Sequence, residues 1–204
     1  MRPSSFRVAH RWLAAGSQKG TLKRMFDRLP RRSREAFDEW LEDYLDDDEE
    51  DLAEARGDRD LLLDYFDDWV SDEHSLEIRG DGLIAFWALE PEVEHIIGDL
   101  PVVLYHHTAT GVWPDIKRRG LIANPPQQAN PYKNLASGVY LTTETSGPAV
   151  AGYQRNAVDA FGGRPLVLEI KTTLDDLRPD PDDADISSGR TQFISQYVSP
   201  SDIL

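Results

Sequence analysis

Charge in this chain is sorted along its length, and that sorting limits the folds open to it. Residues 1–34 hold ten Lys/Arg and one acid, Asp27. Residues 35–99 hold 25 Asp/Glu and three Lys/Arg, and residues 100–204 hold nine basic and eleven acidic side chains. So acidic a block must keep its carboxylates in water and bury only a narrow apolar stripe. A formal net charge of −15 also argues against whole-surface binding to phosphate backbones, which needs clustered Lys/Arg. The composition shift near Gly98–Pro101 predicts two parts, an acidic, mainly helical region over 1–98 and a second unit over 99–204.

The stripe is visible. Phe37, Trp40, Leu41, Tyr44 and Leu45 recur at i, i+3, i+4, i+7, i+8, and Leu62, Tyr65, Phe66, Trp69 and Val70 repeat the spacing, predicting two amphipathic helices with aromatic core faces. Ser33 is the expected N-cap of the first. A shorter basic helix with Val8, Trp12 and Leu13 is expected to stop at Gly16. The acid run Asp46–Asp51 reads as a solvated loop or frayed helix end, or more sharply as a nucleic-acid mimic or a mask over a basic rim. Ser75–Arg79, Gly80-Asp81-Gly82 and Leu83–Leu89 suggest a hairpin.

Beyond Pro101 the pattern changes to short strands. Val102–Tyr105 is an apolar run ending in His106-His107-Thr108. Pro114 and Asp115 open a helix that Gly120 closes. The polar loop Asn124–Ala136 leads to Gly138-Val139-Tyr140-Leu141-Thr142-Thr143. A helix from Ser146 carries Ala149, Tyr153 and Ala157 to Gly162-Gly163. Strand Leu166–Ile170, an acidic loop Asp175–Asp185 and a last strand Thr191–Val198 complete an α+β unit.

Several chemistries are excluded. Without cysteine there is no disulfide, thiolate nucleophile or Cys-ligated metal. His106 and His107 are adjacent on a strand and face opposite ways, so they make no metal site by themselves. There is no phosphate-binding glycine loop, Gly-x-Ser-x-Gly elbow or His-Glu-x-x-His. No run approaches the roughly 18 apolar residues of a membrane span, and no signal-peptide core opens the sequence; a soluble, cytoplasmic protein without membrane partners is expected. What stands out is polar groups on apolar strands, His106, Tyr140 and Gln192, since such groups are costly unless paired or used.

As an ordered set, Leu104-Tyr105-His106-His107-Thr108, Ile116…Gly120-Leu121, Gly138-Val139-Tyr140-Leu141-Thr142 and a helix bearing Tyr153 resemble the ADP-ribosyltransferase superfamily. The likeness is to the branch of the poly(ADP-ribose) polymerases and RNA 2′-phosphotransferases, with its His-Tyr-[Glu/Asp/Gln] triad, and covers residues 101–204. It implies a small split-sheet domain beneath the helical region, NAD as substrate and a macromolecular acceptor, protein or nucleic acid. It implies His106, Tyr140 and Gln192 as catalytic residues, and His106, His107, Thr108, Tyr140 and Tyr153 around NAD. Tyr140 stacks on nicotinamide, Tyr153 closes the other side, Thr108 holds the carboxamide and His106 the ribose.

Two departures matter. Gln192 stands where a carboxylate is common and brings no charge, which argues against chain elongation and leaves mono-transfer, NAD hydrolysis or an inactive fold open. His107 replaces the usual glycine. Gln196, or Glu169, competes with Gln192 if the register shifts. An RNA 2′-phosphotransferase would draw on Arg118, Arg119, Arg155 and Arg190. Small stand-alone transferases of this kind resemble bacterial toxins and phage-encoded host modifiers. The other class of reading is a non-enzymatic acidic protein that binds a basic partner or mimics DNA.

Overall fold

The aromatic stripes meet each other. In a computed structural model describing residues 16–45, 48–86, 91–123, 138–179 and 192–204, helices α1 (Gly16–Arg28), α2 (Arg31–Tyr44), α3 (Glu49–Gly57) and α4 (Arg59–Asp72) form one layer. Phe26, Phe37 and Phe66 pack edge to face at centroid separations of 5.2–5.9 Å, the geometry that ring quadrupoles favour. Phe37, Phe66, Met25 and Leu41 are fully buried. Burying such side chains contributes roughly 1.5–3 kcal/mol each, while the acids on the opposite faces remain in water.

Three local expectations are corrected. Helix α2 begins at Arg31 after Pro30, so Ser33 lies inside the helix and is buried rather than capping it. The acid run does not stay a loop: Asp48 accepts hydrogen bonds from the backbone N–H groups of Glu50 and Asp51 and starts α3, where the first-turn acids Glu49–Asp51 suit the positive end of the helix dipole. Asp46 and Asp47 lie outside the described residues. Gly16 opens a helix instead of closing one; Val8, Trp12 and Leu13 fall outside the described residues.

The sheet grows from one strand. The hairpin of β1 (Leu76–Ile78) and β2 (Ile84–Phe86) is antiparallel, and after α5 (Pro91–Ile97) the chain enters β3 (Val102–Ala109). Strand β3 pairs along its whole length with β6 (Pro165–Thr172), from Val102↔Thr172 to Ala109↔Pro165. On its other side it meets β2 at Ile84↔Val102 and then β5 (Val139–Thr142) at Tyr105↔Thr142. Two wings therefore diverge from β3, β2-β1 and β5-β8-β7, with β7 at Arg178–Pro179 and β8 at Gln192–Ser195. The fold is α+β.

Between these strands lie α6 (Trp113–Arg119) and α7 (Pro148–Phe161). Gly120 ends α6 at φ 78°, a left-handed backbone that glycine adopts without strain; a Cβ there would lie 2.1 Å from the Val198 carbonyl oxygen. It leads to β4 (Leu121–Ile122), which pairs with β9 (Tyr197–Val198) in a second small sheet. The single last strand expected over 191–198 is thus two strands, broken at Gln196.

Buried side chains from the helices, the hairpin and β3, β5 and β6 form one apolar cluster. The change in charge at residue 98 falls in the turn before β3, while the sheet and the core run across it.

Candidate functional site

Strand β3 is apolar because it is buried: Val102, Val103, Leu104, Thr108 and Ala109 are all buried. Its pleat alternates faces. Val102 and Leu104 belong to the core, with Leu168, Ile170, Val139 and Leu141 from the flanking strands. His106 shares their parity and pairs across the ladder with Leu168. Its Nδ1 lies 3.0 Å from the backbone oxygen of Tyr140. A carbonyl only accepts, so Nδ1 carries the proton and Nε2 is the bare acceptor. Burial holds the His106 imidazole below its ordinary pKa, against the opposing pull of that carbonyl, and neighbouring His107 adds to the lowering.

His107 faces the other way. Its Nε2 donates to the Glu144 carbonyl at 2.9 Å, and its ring lies nearly parallel to that of Tyr153 on α7, centroids 6.4 Å apart. Nδ1 is buried and has no hydrogen-bond partner. Burial again lowers the pKa, offset by the Glu144 carbonyl. A proton added at Nδ1 would leave a buried, charged N–H with no acceptor, which explains the direction.

Counting from Tyr105↔Thr142 brings His107 level with Tyr140 and His106 level with Leu141. The ladder therefore gives Tyr140 the face of His107 and Tyr153, and His106 reaches this group through the Tyr140 backbone. Tyr140 is half-buried, Tyr153 is 39% exposed and Thr108 is 3% exposed. Gln192 opens β8 opposite Thr142, with Ile194 opposite Tyr140; the Gln192 side chain is outside the described set. Gln196 is exposed at the break between β8 and β9, and its carbonyl accepts from the Ala123 N–H in the small sheet. The shared strand face on which Gln196 was to compete with Gln192 is not formed. Glu169 pairs with Tyr105 across the ladder and is held by Arg79 at 2.9 Å.

The three strands that bear His106, Tyr140 and Gln192 lie side by side, in the order β3-β5-β8. No family model matches the chain, and no curated protein matches it.

Helix α7 forms the wall over His107. Gly111 and Gly163 let the end of α7 close onto the end of β3: a Cβ on Gly111 would sit 2.0 Å from the Phe161 oxygen, and one on Gly163 (φ 87°) 2.3 Å from Thr110 Oγ1. A polar group the sequence reading missed sits beside the site. Arg79 bridges Glu169 and Asp81 beside Tyr105, whose hydroxyl is pushed up in pKa by burial and by Glu169. Its signal was the one basic residue between Arg59 and the end of the acidic block, just before Gly80-Asp81-Gly82. Of the arginines a phosphate site would draw on, Arg118 is engaged with Asp115 at 2.7 Å and Arg190 lies outside the described residues. Among the described residues no group of His, Asp or Glu could hold a metal ion, and no helix is long and apolar enough to cross a membrane.

Proposed function

We propose that the protein is an NAD-dependent mono-ADP-ribosyltransferase acting on a macromolecular acceptor. One observation supports the reading: three positions separated by 34 and 52 residues in the chain fall on three neighbouring strands. Tyr140 stacks on the nicotinamide, and Tyr153, standing over His107, closes the other side. His106 is a positioning residue: its bond to the Tyr140 carbonyl fixes β5 on β3 at the level of the tyrosine. Thr108 shares the parity of His106 and turns to the opposite face of β3, so the neutral His107 imidazole is the uncharged hydrogen-bonding group on the tyrosine face.

The chemistry follows from that environment. The bond between the nicotinamide nitrogen and ribose C1′ breaks, nicotinamide leaves with the electron pair as a neutral ring, and positive charge develops on the sugar. A nucleophile on the acceptor then bonds to C1′ and loses its proton. Neutral imidazoles do not repel this cation, whereas protonated ones would. Gln192 orients the ribose through its carbonyl and adds no negative charge, which suits a single transfer rather than elongation.

The test is incubation with labelled NAD and cell extract, with nicotinamide release and NAD-dependent thermal shift followed in parallel. Label on a macromolecule is the expected result, and release without label assigns NAD hydrolysis to the same site. Absence of label, nicotinamide and thermal shift together sinks the enzyme reading in favour of the acidic binding protein.

A further inference from the structure

We propose that a concavity between α1, the hairpin turn, the start of β3 and the end of β6 binds an organic phosphate, held by Arg24 and Lys171. The concavity has a volume of about 420 Å³, within the range of small-molecule sites. The local structure explains why a hollow remains there. Thr21 is fully buried, and its hydroxyl donates to the Gly82 carbonyl oxygen at 2.9 Å, which seats α1 on the hairpin turn. The Ile84 N–H donates to the Pro101 oxygen at 3.1 Å and ties that turn to the start of β3. Gly82 makes the turn at φ 80°. Gly20 adds no side chain to the helix wall, and a Cβ there would meet nothing within 4 Å. Leu83 and Pro101 give the lining its apolar part.

Two cations from different elements line this hollow. Arg24 comes from α1, where its guanidinium donates to Thr21 Oγ1 at 3.1 Å. Lys171 comes from β6, where it pairs across the ladder with Val103. Neither forms an ion pair with a described carboxylate, whereas Arg28, Arg56, Arg59 and Arg79 each hold one. The acid in the lining is already engaged: Asp81 accepts from the Leu83 N–H at 3.1 Å and pairs with Arg79 at 3.1 Å. Glu169 shares the Lys171 face of β6 and is taken by the same arginine. In a chain of net charge −15, two cations left together beside a concavity select an anion. A phosphate monoester, at about −1.5 to −2, matches both charges, where a carboxylate matches one. Its oxygens suit the planar fork of Arg24 and the point charge of Lys171, and its organic part lies on Leu83 and Pro101. The site is separate from the tyrosine face around His107. Lys171 is level with Val103, four residues and about 13 Å along β3 from His107, so phosphate binding here does not depend on NAD.

The test is titration of the full chain with phenyl phosphate, followed by amide shifts in nuclear magnetic resonance, with inorganic phosphate and phenol as comparison ligands. The expected result is saturable shifts at residues 20–24, 80–84 and 171, weaker binding of inorganic phosphate at the same residues, and none of phenol. Arg24→Gln/Lys171→Gln changes two exposed side chains and should weaken phenyl phosphate binding by about tenfold or more, with the melting temperature kept. Lys23→Gln, on the same helix but outside the lining, should leave the affinity nearly unchanged. Shifts centred elsewhere, equal shifts with phenol, or equal affinity for inorganic phosphate overturns the proposal. So does binding that survives the double substitution, or that falls as far in Lys23→Gln, which would assign it to general charge attraction.

Discussion

His106 and His107 show how neighbouring residues of one type take different work from the pleat of a strand. One turns to the core and pins β5 by its backbone; the other turns to α7 and keeps a buried nitrogen free. Both are held below the ordinary histidine pKa of about 6.5 by burial, so the unfolded chain binds more protons than the folded one just below that pH. Their contribution to stability is complete above about pH 6.5 and declines as the pH falls. Melting temperatures between pH 7.5 and 5 should drop in the wild type, and drop less steeply in a His106→Asn/His107→Asn variant measured against its own pH 7.5 value. At the same scale, Tyr140→Ala removes a stacking surface of about 0.5–1.5 kcal/mol. NAD affinity by calorimetry should fall by about two- to twelvefold, whereas Tyr140→Phe should bind nearly as the wild type does. The choice between histidines could not be read from the motif alone, because strand parity relative to Tyr140 depends on pairing with residues 34 positions away.

Elements with strong local signals were legible: the stripes at 37–45 and 62–70 became α2 and α4, Gly80-Asp81-Gly82 became the hairpin turn, and Pro114 and Gly120 bracket α6 as read. Those decided at a distance were not. The chain breaks at Gln196 because Val198 and Tyr197 pair with Leu121 and Ile122, a competition invisible in the alternation of 191–198. Helix α3 escaped notice because its acids mask a well-placed cap, and only Leu52 and Ala55 are buried on it. The seat of α7 rests on Gly111, so Gly111→Ala should overpack that contact and cost about 1–3 kcal/mol in urea unfolding. The proposed transfer activity should suffer along with stability, because α7 carries Tyr153.

Taken whole, the molecule joins an acidic helical layer to a sheet by a continuous apolar cluster. Arg28 pairs with Asp99 and Arg59 with Asp27, but exposed pairs like these contribute little; the packing of α4 and α1 on β1 does more. Phe66→Ala, in the core of the helical layer, should lower stability by about 3–5 kcal/mol. Far-ultraviolet and tryptophan signals should report one shared transition for wild type and variant alike. Two separated transitions would show the helical region and the sheet to be independent units.

Strand β3 also dictates when the fold can be completed. Its main partner ends at Thr172, some 60 residues downstream, so during synthesis an apolar ribbon must wait with one side bare while the helices behind it have already closed. Such delay slows assembly and invites association between nascent copies, and the polar pair at 106–107 interrupts that ribbon where a purely aliphatic strand would be most adhesive.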